Sequence, residues 1–323
     1  MNRRTLLLGA ALGPLAASRR ALGQANWPDR AVRIIVPFAA GSFTDVAARL
    51  VANELTEQLG QPVIVENRSG AGSTAGTLQV ARAEPDGYTL LLTDISLSIS
   101  PAIYPKLPYD PVRDLAQVSR IADSPALLMV RPGLGVKTLA ELVALAKQKP
   151  GELIFGSGGP GSSAHLAMEL LLNVAGIQAL HVPFRGVAAA ITEMIGGRVD
   201  MVIGSLASGV AQVQGGTLLG LAVTGEQRNP LIPNVPTFVE AGQPGFNMPY
   251  WFGLAAPAGT PAEIIARLNR EVVRACAQPR LKETFEKQAA IAVTSTPDEM
   301  TQHLTREIAV WRDVVARAKI TIQ

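Results

Sequence analysis

Short apolar segments alternate with segments of helical periodicity along most of the chain. Residues 32–37 predict a buried strand, whereas apolar side chains recur three and four positions apart over 44–59 and predict a helix that Gly60 ends. The same succession of strand, loop and helix returns at 152–175. Alternation of this kind is typical of parallel sheets built from strand–helix–strand units, so the pattern predicts an α/β protein.

The remaining segments extend this alternation to the C-terminus. Further strands are predicted at 62–66, 89–93, 126–130, 178–184, 199–203, 218–224 and 250–256, and further helices at 75–83, 139–149 and 187–195. A proline-rich loop at 230–249 precedes two C-terminal helices. Each of these helices begins with a capping box and a proline, at Thr260-Pro261 and at Thr296-Pro297.

The first 25 residues have the pattern of an export signal. Arg3 and Arg4 precede an apolar run at 6–17, which is shorter than the roughly 20 residues that a membrane-spanning helix needs. Adjacent arginines are typical of the twin-arginine route. We therefore predict a signal peptide at 1–25 that is cleaved near Ala25, with cleavage after Gly23 as one alternative and a retained membrane anchor as another.

Composition and charge exclude several classes of protein. With 323 residues, 48% of them apolar, the chain is long enough for two domains and is not intrinsically disordered. The net charge of +3 comes from four arginines within residues 1–25, because the rest of the chain has 25 basic and 26 acidic residues. Aromatic residues make up only 5%. A nucleic-acid partner is therefore not expected.

Disulfides, metals and cofactors are not expected either. Cys276 is the single cysteine and cannot form an internal disulfide. His165, His181 and His303 lie far apart in the sequence and show no clustered spacing of metal ligands. We predict no metal, no cofactor and no catalytic residue.

Two loops of small residues each lead from a predicted strand into a predicted helix. They read VPFAAGSFTD at 36–45 and FGSGGPGSSAH at 155–165. A helix start offers unpaired N–H groups and a partial positive charge, so it binds carboxylate or phosphate without lysine or arginine. Hydroxyl groups in these loops add donors, at Ser42, Thr44, Ser157, Ser162 and Ser163. The pair predicts an anion site in a cleft; the alternative is ordinary turns with capping serines.

An enzyme is the rival hypothesis. Residues 156–161 match G-x-G-x-x-G, which is typical of dinucleotide-binding folds. Such folds place an acidic residue about 20 positions later, but no Asp or Glu occurs between Glu169 and Glu193, and Pro160 removes one N–H from the loop. A secreted nucleotide-dependent oxidoreductase stays as an alternative, whereas the absence of a Gly-x-Ser-x-Gly motif argues against a hydrolase.

Several motifs together resemble the solute-binding proteins of tripartite tricarboxylate transporters, the Bug family. The motifs are WPDR at 27–30, IVPF with Gly41 and Thr44-Asp45, LGQPV at 59–63, VENR with GAG at 65–72, PDGYTLL at 85–91, YPKLPYDP at 104–111, HVPFRG at 181–186 and WFGL with APAGTP at 251–261. Their order and spacing agree from residue 27 almost to the end of the chain.

The resemblance implies a type II periplasmic binding protein, α/β in class, with a ligand cleft between two lobes. Lobe 1 would comprise residues 26–125 and 225–323, and lobe 2 residues 126–224, with crossing strands at 126–130 and 218–224. The protein would be a monomer in the periplasm. It would capture a small carboxylate-type molecule for a membrane permease; a ligand-sensing subunit of a signalling system is another alternative.

The resemblance also implies which residues bind the ligand. They are Phe38, Ala39, Ala40, Gly41, Ser42, Phe43, Thr44, Thr93, Asp94, Ser157, Gly158, Ser162, Ser163, His165, Phe184, Arg185, Gly186, Gly204 and Ser205. Three of them depart from the family pattern. Phe43 adds bulk near the cleft, and Gly204 stands where an acid is frequent. Asp94 would either favour an amine or hydroxyl on the ligand over a second carboxylate, or only cap its own loop.

Overall fold

Two mixed sheets organise residues 27–318 and 320, which are the residues described by the computed structural model. The strands are β1 (Val32–Val36), β2 (Val63–Asn67), β3 (Thr89–Asp94), β4 (Leu115–Ser124), β5 (Ala126–Val130), β6 (Ile154–Ser157), β7 (Leu180–Pro183), β8 (Met201–Ser205), β9 (Leu219–Val223), β10 (Tyr250–Pro257) and β11 (Ile291–Ala292). The predicted signal peptide and its cleavage near Ala25 lie outside the described residues.

Ten α-helices accompany these strands in the described part of the chain. They are α1 (Phe43–Leu59), α2 (Thr74–Ala81), α3 (Ser96–Ile103), α4 (Leu139–Gln148), α5 (Ser163–Ala175), α6 (Val187–Ile195), α7 (Leu206–Gln214), α8 (Ala262–Ala277), α9 (Pro279–Lys287) and α10 (Pro297–Ala318). Within residues 27–318, no helix is both long and apolar enough to cross a membrane.

The first sheet has the strand order β11-β4-β10-β3-β1-β2. Strand β1 lies parallel to β2 and β3, and the late strand β10 inserts antiparallel between β3 and β4. The apolar stripe of α1 packs on this sheet, so Ile34, Leu55 and Leu91 are fully buried. Because β1 and β3 are parallel, their carboxyl ends lie at the same edge of the sheet, where α1 and α3 begin.

The second sheet has the order β7-β6-β8-β5-β9. Strand β6 is parallel to β7 and β8, whereas β5 is antiparallel to β8 and β9. Helices α5, α6 and α7 each follow a strand of this sheet in the chain. Their N-termini therefore lie at the carboxyl edge of the parallel strands, as strand–helix units require.

The chain crosses between the two sheets at two places. It enters the second sheet through Pro125, which joins β4 to β5. The predicted crossing strand at 218–224 requires the chain to return to the first sheet directly after β9, and the chain does not do so. Instead, residues 225–249 first follow the edge of β9, where Val223 N–H donates to Pro236 O at 3.0 Å, and the chain rejoins the first sheet at Tyr250, opposite Ser124.

Candidate functional site

Three helix starts from the two sheets converge on one buried cavity. Ser42 caps α1 by accepting from Asp45 N–H at 3.2 Å, and Ser162 caps α5 by accepting from His165 N–H at 3.3 Å. Ser205 precedes α7, but its hydroxyl pairs with the Ser208 hydroxyl at 2.8 Å. The cavity is therefore surrounded by hydroxyl groups and by the positive ends of helices.

The cavity is small and lies between the two sheets. Its volume is about 30 Å³, which is room for about one water molecule, whereas ligand pockets usually have about 300–1,000 Å³. It is lined by Phe38, Ser42, Phe43, Thr44, Asp94, Ser162, Ser163, Val187, Ser205, Ser208, Tyr250 and Phe252. The described arrangement is therefore a closed cleft, and a small organic acid reaches this cavity only if the sheets separate.

The loop before α1 is held by a buried polar network. Asn67 Nδ2 donates to Phe38 O at 3.0 Å, and Gly41 N–H donates to the Asp45 carboxylate at 3.0 Å. Burial acts to raise the pKa of Asp45, but hydrogen bonds from Arg49, Gly41 and Asn67 outweigh it and hold that pKa below its ordinary value. Gly41 has φ +85°, which favours glycine. The loop thus presents Phe38 and Ser42 to the cavity in one fixed conformation.

Phe43 is both a lining residue and a core residue. Its ring lies edge-on to Phe252, with the ring centroids 4.7 Å apart, and tilted against Phe285 at 5.6 Å. Only 2% of Phe43 is exposed. The bulk expected at this position therefore forms part of the floor of the cavity.

Asp94 contacts both lobes. Its Oδ1 accepts from Ser96 N–H at 2.9 Å and so caps α3, while its Oδ2 accepts from the Ser163 hydroxyl of α5 at 3.0 Å. Ser163 N–H in turn donates to the Ser96 hydroxyl at 3.0 Å. Burial raises the pKa of Asp94, and the hydrogen bonds from Ser96 and Ser163 offset part of that rise. Asp94 therefore combines the two roles that the sequence left open: it caps its loop and lines the cavity.

Other contacts also close the cleft. Ala39 N–H donates to Arg185 O at 3.2 Å, and the Tyr104 hydroxyl donates to Pro160 O at 2.6 Å. A Cβ atom on Gly72 would overlap the Pro160 carbonyl oxygen, so only glycine allows this approach. The glycine-rich loop at 156–161 thus packs against Gly72 and Tyr104 of the first lobe and leaves no open cradle for a pyrophosphate.

Tyr250 is the main lining residue that sequence reasoning missed. It is 2% exposed, and its hydroxyl has no hydrogen-bond partner among the residues that the structure describes. Burial and the nearby Asp94 charge raise the pKa of Tyr250, although the Ser163 hydroxyl opposes that shift. Val187, Ser208 and Phe252 were missed as well. The WFGL motif directly after Tyr250 was the available signal, but it does not show which side chain faces the cleft.

Eight of the predicted positions belong to the lining. They are Phe38, Ser42, Phe43 and Thr44 before and in α1, Asp94 and Ser163 at the contact between the lobes, and Ser162 and Ser205, which precede α5 and α7. The remaining predicted positions do not line this cavity: Ala39, Ala40, Gly41, Thr93, Ser157, Gly158, His165, Phe184, Arg185, Gly186 and Gly204.

Strand alternation and packing explain several of these placements. Thr93 is buried on the opposite face of β3 from Asp94. Ser157 bonds the His181 ring at 2.6 Å, and the His165 and His181 rings stack with centroids 4.0 Å apart. Arg185 is exposed at the rim. His165 instead lines a separate cavity of about 690 Å³ beside α5 and β7.

Charged groups are scarce at the closed cleft. Of the described residues that line the cavity, Asp94 alone has an acidic or basic side chain. The described residues also contain no cluster of three or more His, Cys, Asp or Glu side chains that could hold a metal ion. Binding of an anion here would depend on backbone N–H groups and hydroxyls rather than on a salt bridge.

The chain is similar to a family of receptors and to periplasmic binding proteins of known structure. A family model described as "Tripartite tricarboxylate transporter family receptor" matches residues 47–320. Protein BugT of Bordetella pertussis is 38% identical over 292 residues, which are 90% of this chain and 90% of BugT. Two solved structures are similar in fold as well as in sequence.

The first is the periplasmic binding protein BugD, with a TM-score of 0.89, 31% identity and coverage of 92% of this chain and 100% of BugD. The second is MatC of Rhodopseudomonas palustris with bound malate, with a TM-score of 0.87, 34% identity and coverage of 90% and 100%. These similarities confirm the predicted α/β, two-lobe fold of a periplasmic binding protein.

Proposed function

The chain belongs to the tripartite tricarboxylate transporter family of receptors, and we propose that it captures a small carboxylate in the periplasm and delivers it to the membrane permease of such a transporter. Proteins of this family are binding proteins rather than enzymes. The similar protein MatC has a carboxylate, malate, bound. The proposed role here therefore needs a cleft that recognises a carboxylate and that opens and closes.

One observation carries the proposal: the starts of α1, α5 and α7 meet at a single buried cavity without a lysine or arginine among its described lining residues. Each helix start carries about half a positive charge. Some first-turn N–H groups of α5 and α7 are already bonded within the protein, at Ser163, Leu206 and Ala207, so the donors left for an anion are the other first-turn N–H groups. An oxygen-rich anion between them would accept several hydrogen bonds at once. This is the arrangement that recognises a carboxylate in a site shielded from water.

Delivery to a permease requires release, and the contacts across the cleft are suited to it. They include separate polar bonds, such as Asp94–Ser163 and Tyr104–Pro160, which water can replace when the cleft opens. The two crossings at Pro125 and before Tyr250 are the places where the backbone can act as a hinge. We propose that lobe 1 comprises residues 26–125 and the C-terminal strands and helices, and lobe 2 the residues between.

The export, the oligomeric state and the lack of catalytic activity belong to the same proposal. We propose that residues 1–25 direct export and are removed near Ala25, that the mature protein acts as a monomer, and that it has no catalytic activity. The intact mass of the protein in the periplasmic fraction checks export and removal of residues 1–25, and its elution volume in size-exclusion chromatography checks the monomer. A mass that includes residues 1–25 would contradict removal of the signal.

The test of function is a thermal-shift and calorimetric screen with small mono- and dicarboxylates, each paired with its methyl ester. A ligand at 100 times its Kd adds about 2.7 kcal/mol to the free energy of unfolding, so a binder raises the melting temperature by several degrees. We expect at least one acid to bind while its ester does not. Equal binding of acid and ester, or no binding by any acid, would contradict the proposal.

A further inference from the structure

The closed cavity is lined by groups of opposite electrostatic preference. The starts of α1, α5 and α7 attract negative charge. The Asp94 carboxyl group, which is 5% exposed, lies against the start of α5 through its bond with Ser163, and Tyr250 lines the same cavity. A ligand that fills the cavity must therefore meet helix starts and an acidic group at the same time.

Asp94 has hydrogen-bonding capacity left over. An ionised carboxylate accepts about four hydrogen bonds, and Asp94 accepts one from Ser96 N–H and one from the Ser163 hydroxyl, with the Ser96 hydroxyl and its own backbone N–H close by. A role as a cap for α3 would need Oδ1 alone, yet Oδ2 reaches across to the other lobe. The carboxyl group can therefore accept further hydrogen bonds from a ligand in the cavity.

Tyr250 provides a second, independent observation. Its side chain lines the same cavity, and its buried hydroxyl has no hydrogen-bond partner of good geometry in the described part of the chain; the nearby Ser163 hydroxyl already donates to Asp94. Buried polar groups in proteins are nearly always paired. An unpaired hydroxyl beside a carboxylate with free acceptor sites indicates that a group from the ligand, one that donates several hydrogen bonds, belongs between them.

We propose that the ligand carries a protonated amine as well as a carboxylate, with the ammonium group bound by Asp94 and Tyr250 and the carboxylate bound at the starts of α1, α5 and α7. The inference rests on the proposed function, since it names the substrate class of the same cleft. An ammonium group has three donors and neutralises the buried acid. A second carboxylate placed beside Asp94 would be repelled.

The probes are acids on one carbon chain that differ only at the far end. For each length from three to six carbons, the ω-amino acid, the ω-hydroxy acid and the dicarboxylate are compared, from β-alanine, 3-hydroxypropionate and malonate to 6-aminohexanoate, 6-hydroxyhexanoate and adipate. Alanine and lactate test the α-position. For at least one chain length, or for the α-position, we expect the amino acid to bind at least about tenfold more tightly than its hydroxy and dicarboxylate counterparts.

Two substitutions assign this preference to the site. Asp94→Asn keeps an acceptor for Ser96 N–H but removes the charge, and we expect it to weaken the amino ligand at least about tenfold. Glu307→Gln is the matched control, because Glu307 is a partly buried carboxylate that also accepts from a serine, Ser98, but lies outside the cavity. It should leave the preference unchanged. Tyr250→Phe should weaken the amino ligand several-fold while the fold persists.

The possible outcomes separate the two proposals. If a dicarboxylate or hydroxy acid binds most tightly and Asp94→Asn retains that binding, the amine inference is wrong and the proposed carboxylate receptor stands. The amine inference is equally wrong if Asp94 is held protonated and donates a hydrogen bond to a second carboxylate of the ligand. In that case the side-chain amide in Asp94→Asn replaces this donor, and the dicarboxylate still binds. If no acid binds at all, both proposals fail. Should Asp94→Asn not fold, the Tyr250→Phe comparison decides between these outcomes.

Discussion

The bond between Ser163 and Asp94 should control closure of the cleft far more than it controls folding. Ser163 lies in lobe 2 and Asp94 ends β3 of the first sheet, so their 3.0 Å hydrogen bond exists only while the lobes are together. When the cleft opens, water replaces both partners. Removing the hydroxyl therefore penalises the closed form and leaves the open form almost unchanged.

The size of the effect follows from the chemistry of the pair. A hydrogen bond to a charged group contributes about 1.5–3 kcal/mol, and about 1.4 kcal/mol corresponds to a factor of ten in affinity. Ser163→Ala should thus raise the Kd of a ligand that needs the closed form by about 10- to 150-fold. The alanine removes the donor without adding bulk to the cavity.

Ser98→Ala is the matched control. Ser98 also donates to a partly buried carboxylate, Glu307 at 3.0 Å, but both residues pack within the first lobe, on α3 and α10. Its loss should lower the free energy of unfolding and leave affinity within a few-fold of the original. Calorimetry with the tightest acid of the screen, together with urea unfolding, measures both quantities. Unchanged affinity in Ser163→Ala, or an equal loss in Ser98→Ala, would mean that the Ser163–Asp94 bond does not control closure.

Three further substitutions, one of them with a control, probe the rim, the contact between the lobes and the partly buried His181. Arg185→Met should change the Kd less than about fivefold, because an exposed charge contributes about 0–1 kcal/mol; abolished binding in calorimetry would mean that a salt bridge holds the ligand. Gly72→Ala should weaken binding at least about tenfold, because its Cβ meets Pro160 only when the cleft is closed. Gly60→Ala, which has a similar positive φ and open space around it, should affect stability alone. Burial lowers the pKa of His181 to about 4, whereas the unfolded value is about 6.5. The unfolded chain therefore takes up this proton first, and the free energy of unfolding should fall as pH drops from about 6.5 to 4. Urea unfolding at both ends of that range should show a smaller fall in His181→Phe, and an equal fall would contradict the assignment.

Local sequence patterns predicted the parts of the site that lie within one strand–loop–helix unit. Ser42 and Ser162 follow glycine-containing loops and precede apolar periodic segments, and both cap helices at the cavity. The small residues that allow close backbone approach were equally visible. Such features depend on neighbours in the sequence, so the sequence alone reveals them.

Contacts between distant segments were not predictable in the same way. Tyr250 meets Asp94 and Ser163 only because β10 inserts between β3 and β4. Helix α3 was missed because its sequence, SLSISPAI, combines serine, isoleucine and proline, which are weak helix formers. Its start is fixed instead by Asp94. The return crossing before Tyr250 was missed because residues 225–249 are held by tertiary contacts with β9 rather than by a local pattern.

A crystal structure of the protein with the tightest-binding acid of the screen would show directly how the carboxylate is held. We predict a carboxylate between the lobes, with its oxygens about 3 Å from backbone N–H groups in the first turns of α1 and α5 and from the Ser42 hydroxyl. A carboxylate in the separate cavity beside His165, or one paired with the Arg185 guanidinium, would contradict the proposed recognition by helix starts.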